Sequence, residues 1–141
     1  MSKHTISMRL LAALAGFLLL AAGCGGGSGS DGLNSSQVAR GRAIYVASCQ
    51  QCHGEAATGE GRAPNAPPHS VEGHTWHHAD GLLVGVVLGT FQYPGREMPS
   101  FGGVLTEAQV LDVVAYFKTN WGKDQLDFQA EASRNWEAQQ R

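Results

Sequence analysis

Cys49-Gln50-Gln51-Cys52-His53 restricts this chain more than any other stretch of its sequence. The pattern C-x-x-C-H reads as an attachment site for c-type haem. Two thiols one helical turn apart can add to the two vinyl groups on one edge of a porphyrin. The adjacent His then projects under the ring and coordinates the iron. A thioredoxin-type redox pair would not need that His. A zinc site would need two more ligands at a matching spacing; the other His could supply them, but there is no second Cys pair.

The remaining cysteine, Cys24, calls for a separate explanation, which the N-terminus provides. Lys3 and Arg9 precede an apolar run, Leu10 to Ala22, of 13 residues. That length fits a secretory signal and is too short to span a hydrocarbon core of about 30 Å. The run ends in Leu20-Ala21-Ala22-Gly23-Cys24, which resembles the bacterial lipoprotein signal, in which a Cys after small residues is lipidated and becomes the mature N-terminus. The usual Leu stands one place further from the Cys, at Leu20. Residues 1–23 are therefore expected to be removed and Cys24 to carry lipid. The next segment, Gly25 to Gly32, is a Gly/Ser tether with a reach of roughly 17 Å. Export and attachment agree, because bacterial c-type haem is attached outside the cytoplasmic membrane. The expected location is the periplasmic face of a bacterial membrane.

Composition narrows the function further. The 141 residues are 43% hydrophobic and 16% charged, enough for one packed domain. The net charge of −2, with no Lys/Arg cluster, disfavours a nucleic-acid partner. Loss of Lys3 and Arg9 with the signal takes it to −4.

Local patterns predict helices. The first is expected from about Ser36 to Ala47, with Ser35 or Ser36 as N-cap and Val38, Gly41 and Tyr45 on neighbouring turns. Gly41 costs roughly 1 kcal/mol against Ala in a helix. A second is expected over about Asp80–Leu88, with an apolar stripe of Leu82, Leu83, Val86 and Val87. A third begins at Thr106 with a capping box closed by Gln109, and Gly122 is its expected stop. Residues 123–141 also read as helical, with Phe128, Ala132 and Trp136 on one face, and are expected to lie on the domain surface.

These elements occur in the order of the class I cytochrome c family, which residues 35–122 resemble: a Gly-containing helix, C-Q-Q-C-H, a Gly/Pro-rich loop, a second helix, Met98-Pro99, and a closing helix with Ala115-Tyr116-Phe117-Lys118. The resemblance implies an all-α fold of three to four short helices around one covalent haem c, with an extra C-terminal helix. It implies close crossing of the first and last helices at Gly41, beside Tyr45 and Tyr116. It implies haem attachment at Cys49 and Cys52, and His53 and Met98 as axial iron ligands. Met98 is the one methionine left after the signal, and its soft thioether favours ferrous iron. A Pro carbonyl is expected to orient His53; Pro67 is chosen and Pro64 is the alternative. Trp76, Tyr93 and Arg96 are candidates to reach the haem propionates.

His69, His74, His77 and His78 compete for the sixth ligand position, and as a group could hold copper or zinc. The function implied is a membrane-tethered electron carrier between a redox donor and acceptor, of respiratory or other membrane electron-transfer type. A haem enzyme of peroxidase or nitrite-handling type, or a copper-binding lipoprotein, is the alternative.

Overall fold

Asn34 starts the first helix, α1 (Ser35–Ser48), in this computed structural model, which describes residues 33–58 and 60–141. Its Oδ1 accepts from the backbone N–H groups of Ser36 at 2.9 Å and Gln37 at 3.3 Å. The cap expected at Ser35 or Ser36 is thus one residue earlier. Asn and Ser cap about equally well, so residue type alone does not choose between neighbours. The signal, Cys24 and the Gly/Ser tether lie outside the described residues.

Among the described residues the fold is all-helical: five α-helices, a short 3₁₀ turn (Thr75–His77), and no strand. Helix α1 gives way at Cys49 to a single-turn α2 (Gln50–His53). Gly54 ends α2 with φ 71°, and a Cβ there would lie 1.7 Å from the Glu60 carbonyl oxygen. Only glycine accommodates both constraints.

Helix α1 packs chiefly on α4 (Glu107–Lys118). A Cβ on Gly41 would lie 1.8 Å from the Asp112 carbonyl oxygen, so the two backbones touch at the crossing. Arg40 Nε and Nη2 grip the Asp112 carboxylate at 2.7 and 3.0 Å across it. One turn on, Tyr45 is fully buried; its ring sits 5.6 Å from Tyr116 and 5.4 Å, edge-on, from Phe117. Burying an apolar ring of this size is worth roughly 2–3 kcal/mol. The Tyr45 hydroxyl donates to the Gly54 carbonyl at 2.8 Å, and burial pushes its pKa up. The core joins Tyr45, Ala56, Val113, Phe117 and Trp121.

The capping box of α4 forms: Gln109 N–H donates to Thr106 Oγ1 at 3.3 Å, and Thr106 N–H to Gln109 Oε1 at 2.9 Å. Helix α4 does not stop at Gly122. Thr119 and Asn120 close it with N–H bonds to Tyr116 and Phe117 carbonyls, and Gly122, in extended backbone, is the N-cap of α5 (Lys123–Gln139). A Gly between two helices reads equally well as a stop or a start.

Helix α3 (Asp80–Leu88) has the expected bounds and ends at Gly89 with φ 78°. Its most buried positions are Val84 and Gly85, while Leu82, Leu83, Val86 and Val87 are half-buried. A helix that is apolar all round carries no pattern to choose its inner face. Helix α5 lies on α3 and the 3₁₀ turn. Gln129 is its buried residue; Ala132, Ser133 and Trp136 are half-buried, and Phe128, 48% exposed, meets the Trp76 and His77 rings edge-on at 5.6 and 5.3 Å. Polar bonds at Asp80 fasten α3 to its neighbours. Ser133 Oγ accepts from Asp80 N–H at 3.0 Å, Gln129 bonds Asp80 Oδ1, and Lys118 Nζ reaches Asp80 Oδ2 at 2.7 Å.

Candidate functional site

The α1–α2 joint sets out the motif residues. Cys49, at the joint itself, and Cys52, within α2, are free, half-buried thiols. Burial, and then Cys52, push the Cys49 thiol up to about 11. A disulfide-exchange pair uses a lowered thiol pKa, so this environment points away from thioredoxin-type chemistry.

His53 ends α2 and is 7% exposed. Its Nδ1 lies 2.9 Å from the Pro67 carbonyl oxygen. A carbonyl can only accept, so Nδ1 carries the proton and Nε2 keeps its lone pair for a metal. It is Pro67, not Pro64, whose carbonyl makes this bond.

His69 separates from the other histidines. It is buried, with its ring stacked 4.5 Å from His53 on one side and 4.1 Å from Phe117 on the other. Its Nδ1 is 2.9 Å from Thr75 Oγ1, which itself donates to the Pro68 carbonyl at 3.2 Å. Trp121 Nε1 donates to the His69 carbonyl at 2.8 Å. Burial, and then His53, push its pKa down to about 3. Rings stacked at this distance present faces to each other, not nitrogens. No iron fits between them, so His69 cannot stand opposite His53 as a sixth ligand.

His74 and His77 are exposed and His78 is half-buried. The His74 ring lies 5.4 Å from His78 and 6.5 Å from His77, and His77 stacks on Trp76 at 3.6 Å. Among the described residues no three His, Cys, Asp or Glu side chains converge on a metal position. The four histidines close in sequence are therefore not one cluster in space.

Met98 is half-buried on the segment between α3 and α4. Arg96, two residues before it, is half-buried; its Nε donates to the Met98 carbonyl at 2.8 Å and its Nη2 to the Pro99 carbonyl at 3.0 Å. Arg96 Nη1 is buried without a hydrogen-bond partner. Trp76 is not free to reach a propionate, because its Nε1 donates to the Gly73 carbonyl at 2.9 Å. Tyr93 is 43% exposed. Asn65 Nδ2 donates to Glu97 Oε2 at 3.2 Å, joining the loop of Pro67 to the segment of Met98.

These residues fit a covalently attached haem. Two free thiols precede a buried imidazole with one committed nitrogen, and a buried guanidinium N–H lacks an acceptor among the described residues, which a carboxylate would supply. A cavity of about 420 Å³ lies at the opposite end of α1, lined by Leu33, Val38, Trp121 and Leu126 among others, and contains none of Cys49, Cys52, His53, Met98 and Arg96. Sequence reasoning missed the roles of Thr75 and Trp121. Their signal was no more than a hydroxyl and an indole N–H beside glycines.

A family model described as cytochrome c oxidase, cbb3-type, subunit III matches residues 36–117, more than half of the chain. No curated protein and no solved structure gives a significant match.

Proposed function

We propose that this chain, which belongs to the family of cbb3-type cytochrome c oxidase subunit III and so has a class I cytochrome c domain, is a membrane-tethered carrier of single electrons. Membership implies a haem c cofactor, and it suggests haem-based electron transfer rather than catalysis. When bound, haem c supplies a one-electron ferric/ferrous couple. In this reading Cys49 and Cys52 would hold one haem through thioether bonds. His53 donates Nδ1–H to Pro67, which fixes its tautomer and ring orientation and leaves Nε2 free to bind the iron. Met98 would supply the second protein ligand. Two protein ligands that stay in place in both oxidation states keep reorganisation small and leave no open position for a substrate. The Arg96 Nη1–H, which lacks an acceptor among the described residues, suits a propionate.

The observation that carries this reading is the buried His53, with Nδ1 on Pro67 and the free Cys49 and Cys52 beside it. Replacing both cysteines with Ala is expected to abolish haem staining on a denaturing gel; persistent staining refutes the attachment. The ferric protein should show the weak far-red sulfur-to-iron band, absent in Met98→Ala. Met98→His should stay low-spin with a lower midpoint potential, since imidazole favours ferric iron more than thioether does. A silent Met98→Ala overturns the ligation.

Lipid on Cys24, with residues 25–32 as leash, would hold the domain at the periplasmic face beside membrane redox partners. Among the described residues no helix is long and apolar enough to cross a membrane. Cys24→Ser is expected to move the protein to the soluble fraction with its haem content unchanged. A variant that stays membrane-bound refutes the lipid anchor.

A further inference from the structure

The geometry points to Arg96 as the positioning residue for Met98: its guanidinium fork, rather than the backbone of the segment, fixes where the thioether is delivered. This inference rests on Met98 being the axial ligand.

The segment is anchored at both ends. At its start, Tyr93-Pro94-Gly95-Arg96 is a turn closed by Arg96 N–H on the Tyr93 carbonyl at 3.3 Å. Pro94 presets the first central position, and Gly95 takes φ 77° at the second. At its end, Ser100 Oγ donates to the Leu88 carbonyl at 2.6 Å and Phe101 N–H to Val87 at 2.9 Å, which ties the chain back to the end of α3.

Between these anchors, residues 97–99 make no backbone–backbone hydrogen bond among the described residues. Pro99 has no N–H to give and restricts Met98 to extended backbone, which leaves two consecutive carbonyls without partners from secondary structure. Arg96 takes both, with Nε on Met98 and Nη2 on Pro99. A planar fork meeting two carbonyls fixes direction as well as distance, which a single ammonium cannot do. Its third nitrogen, Nη1, is buried and unpartnered, so the clamp is also aimed into the interior. Among the described residues the only other side-chain tie to residues 97–99 is the exposed Asn65–Glu97 bond, which holds a side chain and not the Met98 backbone.

If Arg96 holds the segment, its loss should let an added ligand displace the thioether more easily while haem stays attached. The test titrates free imidazole into the ferric holoproteins of wild type, Arg96→Lys, Arg96→Gln and Met98→Ala, matched for haem by pyridine haemochrome. Hydrogen bonds to a charged donor are worth about 1.5–3 kcal/mol. The expected result is therefore imidazole binding at least about tenfold tighter in both Arg96 variants, with a weakened far-red band.

Wild-type affinity in Arg96→Lys overturns the proposal, because charge alone would then suffice. A shifted midpoint potential with unchanged imidazole affinity overturns it too, as the mark of a lost propionate contact. If Arg96→Gln does not retain haem, Arg96→Lys decides by the same comparison. A far-red band that vanishes in Met98→Ala but is untouched in the Arg96 variants, with unchanged affinity, refutes the clamp alone. A wild type with no such band refutes Met98 ligation and the clamp with it.

Discussion

The His53 side of the site is held by packing, and the Met98 side by side-chain hydrogen bonds. His53 sits at the foot of the α1–α4 crossing, in a stack with His69 and Phe117, behind the buried Tyr45. Each of those rings is fixed by several neighbours, so no single contact decides its place. Met98 lies on a segment whose backbone is gripped by one guanidinium between two anchored ends. The difference teaches which of the two proposed ligands the protein defends. The His53 imidazole cannot move without disturbing the core, whereas the Met98 side chain can shift with the core intact. Stability and ligation should therefore respond to different residues.

The largest effect on stability is expected at the crossing. Gly41→Val places a branched side chain where even a Cβ lies 1.8 Å from a backbone oxygen, and should cost about 3–5 kcal/mol in denaturant unfolding of the holoprotein. A near-neutral Gly41→Val would break the contrast between the two sides. By the same contrast, Met98→Ala should remove the far-red band at far smaller cost in stability.

The next effect comes with pH. The folded pKa of His69 is depressed from 6.5 to about 3, by burial and then by His53. Between those values the unfolded chain holds a proton at His69 that the folded chain does not. Stability therefore falls as pH falls, by about 1.4 kcal/mol per unit from this group. From pH 6.5 to 5 the loss is about 2 kcal/mol. Unfolding at the two pH values should show that extra loss in wild type and not in His69→Leu; equal slopes would mean that His69 is not buried as a neutral ring.

Smaller effects belong to single side-chain hydrogen bonds. Ser133→Ala removes the side-chain acceptor of Asp80 N–H in the first turn of α3 and should cost about 1 kcal/mol. Asn65→Ala breaks an exposed bond and should stay within about 0.5 kcal/mol. If Asn65→Ala cost as much as Ser133→Ala, the strap between the two loops would carry more of the Met98 side than its exposure allows.

What could be read from the sequence follows the same division between local and distant causes. The C-x-x-C-H motif, the bounds of α3 and the Thr106–Gln109 box are written in residues a few positions apart, and all were legible. Gly41 was legible as a position needing a reason, because a glycine inside a helix costs stability, and the family resemblance supplied that reason as a close helix crossing. His69 was not. Spacing grouped it with His74, His77 and His78, and only the return of α4 with Phe117 and Trp121 pulls it into the core. The polar contacts of α5 at Gln129 and Ser133 were not legible, because Asp80 sits 53 residues from the Ser133 it meets. Hydrophobic spacing found the helix but could not see a polar partner that far along the chain.

The bond from Asp80 N–H to Ser133 also bears on where the cooperative unit ends. The family match stops at residue 117, yet α5, which begins at Lys123, completes the first turn of α3 and covers Gly81 with the Trp136 indole. A chain ended at Gly122 would keep every candidate haem ligand but lose the partners of Asp80 that α5 provides. Helix α3 would then open independently of the α1–α4 core, and amide exchange in it would rise from the rate of global unfolding to that of a local one. The recognisable domain and the piece that folds as one are thus different lengths of the same chain.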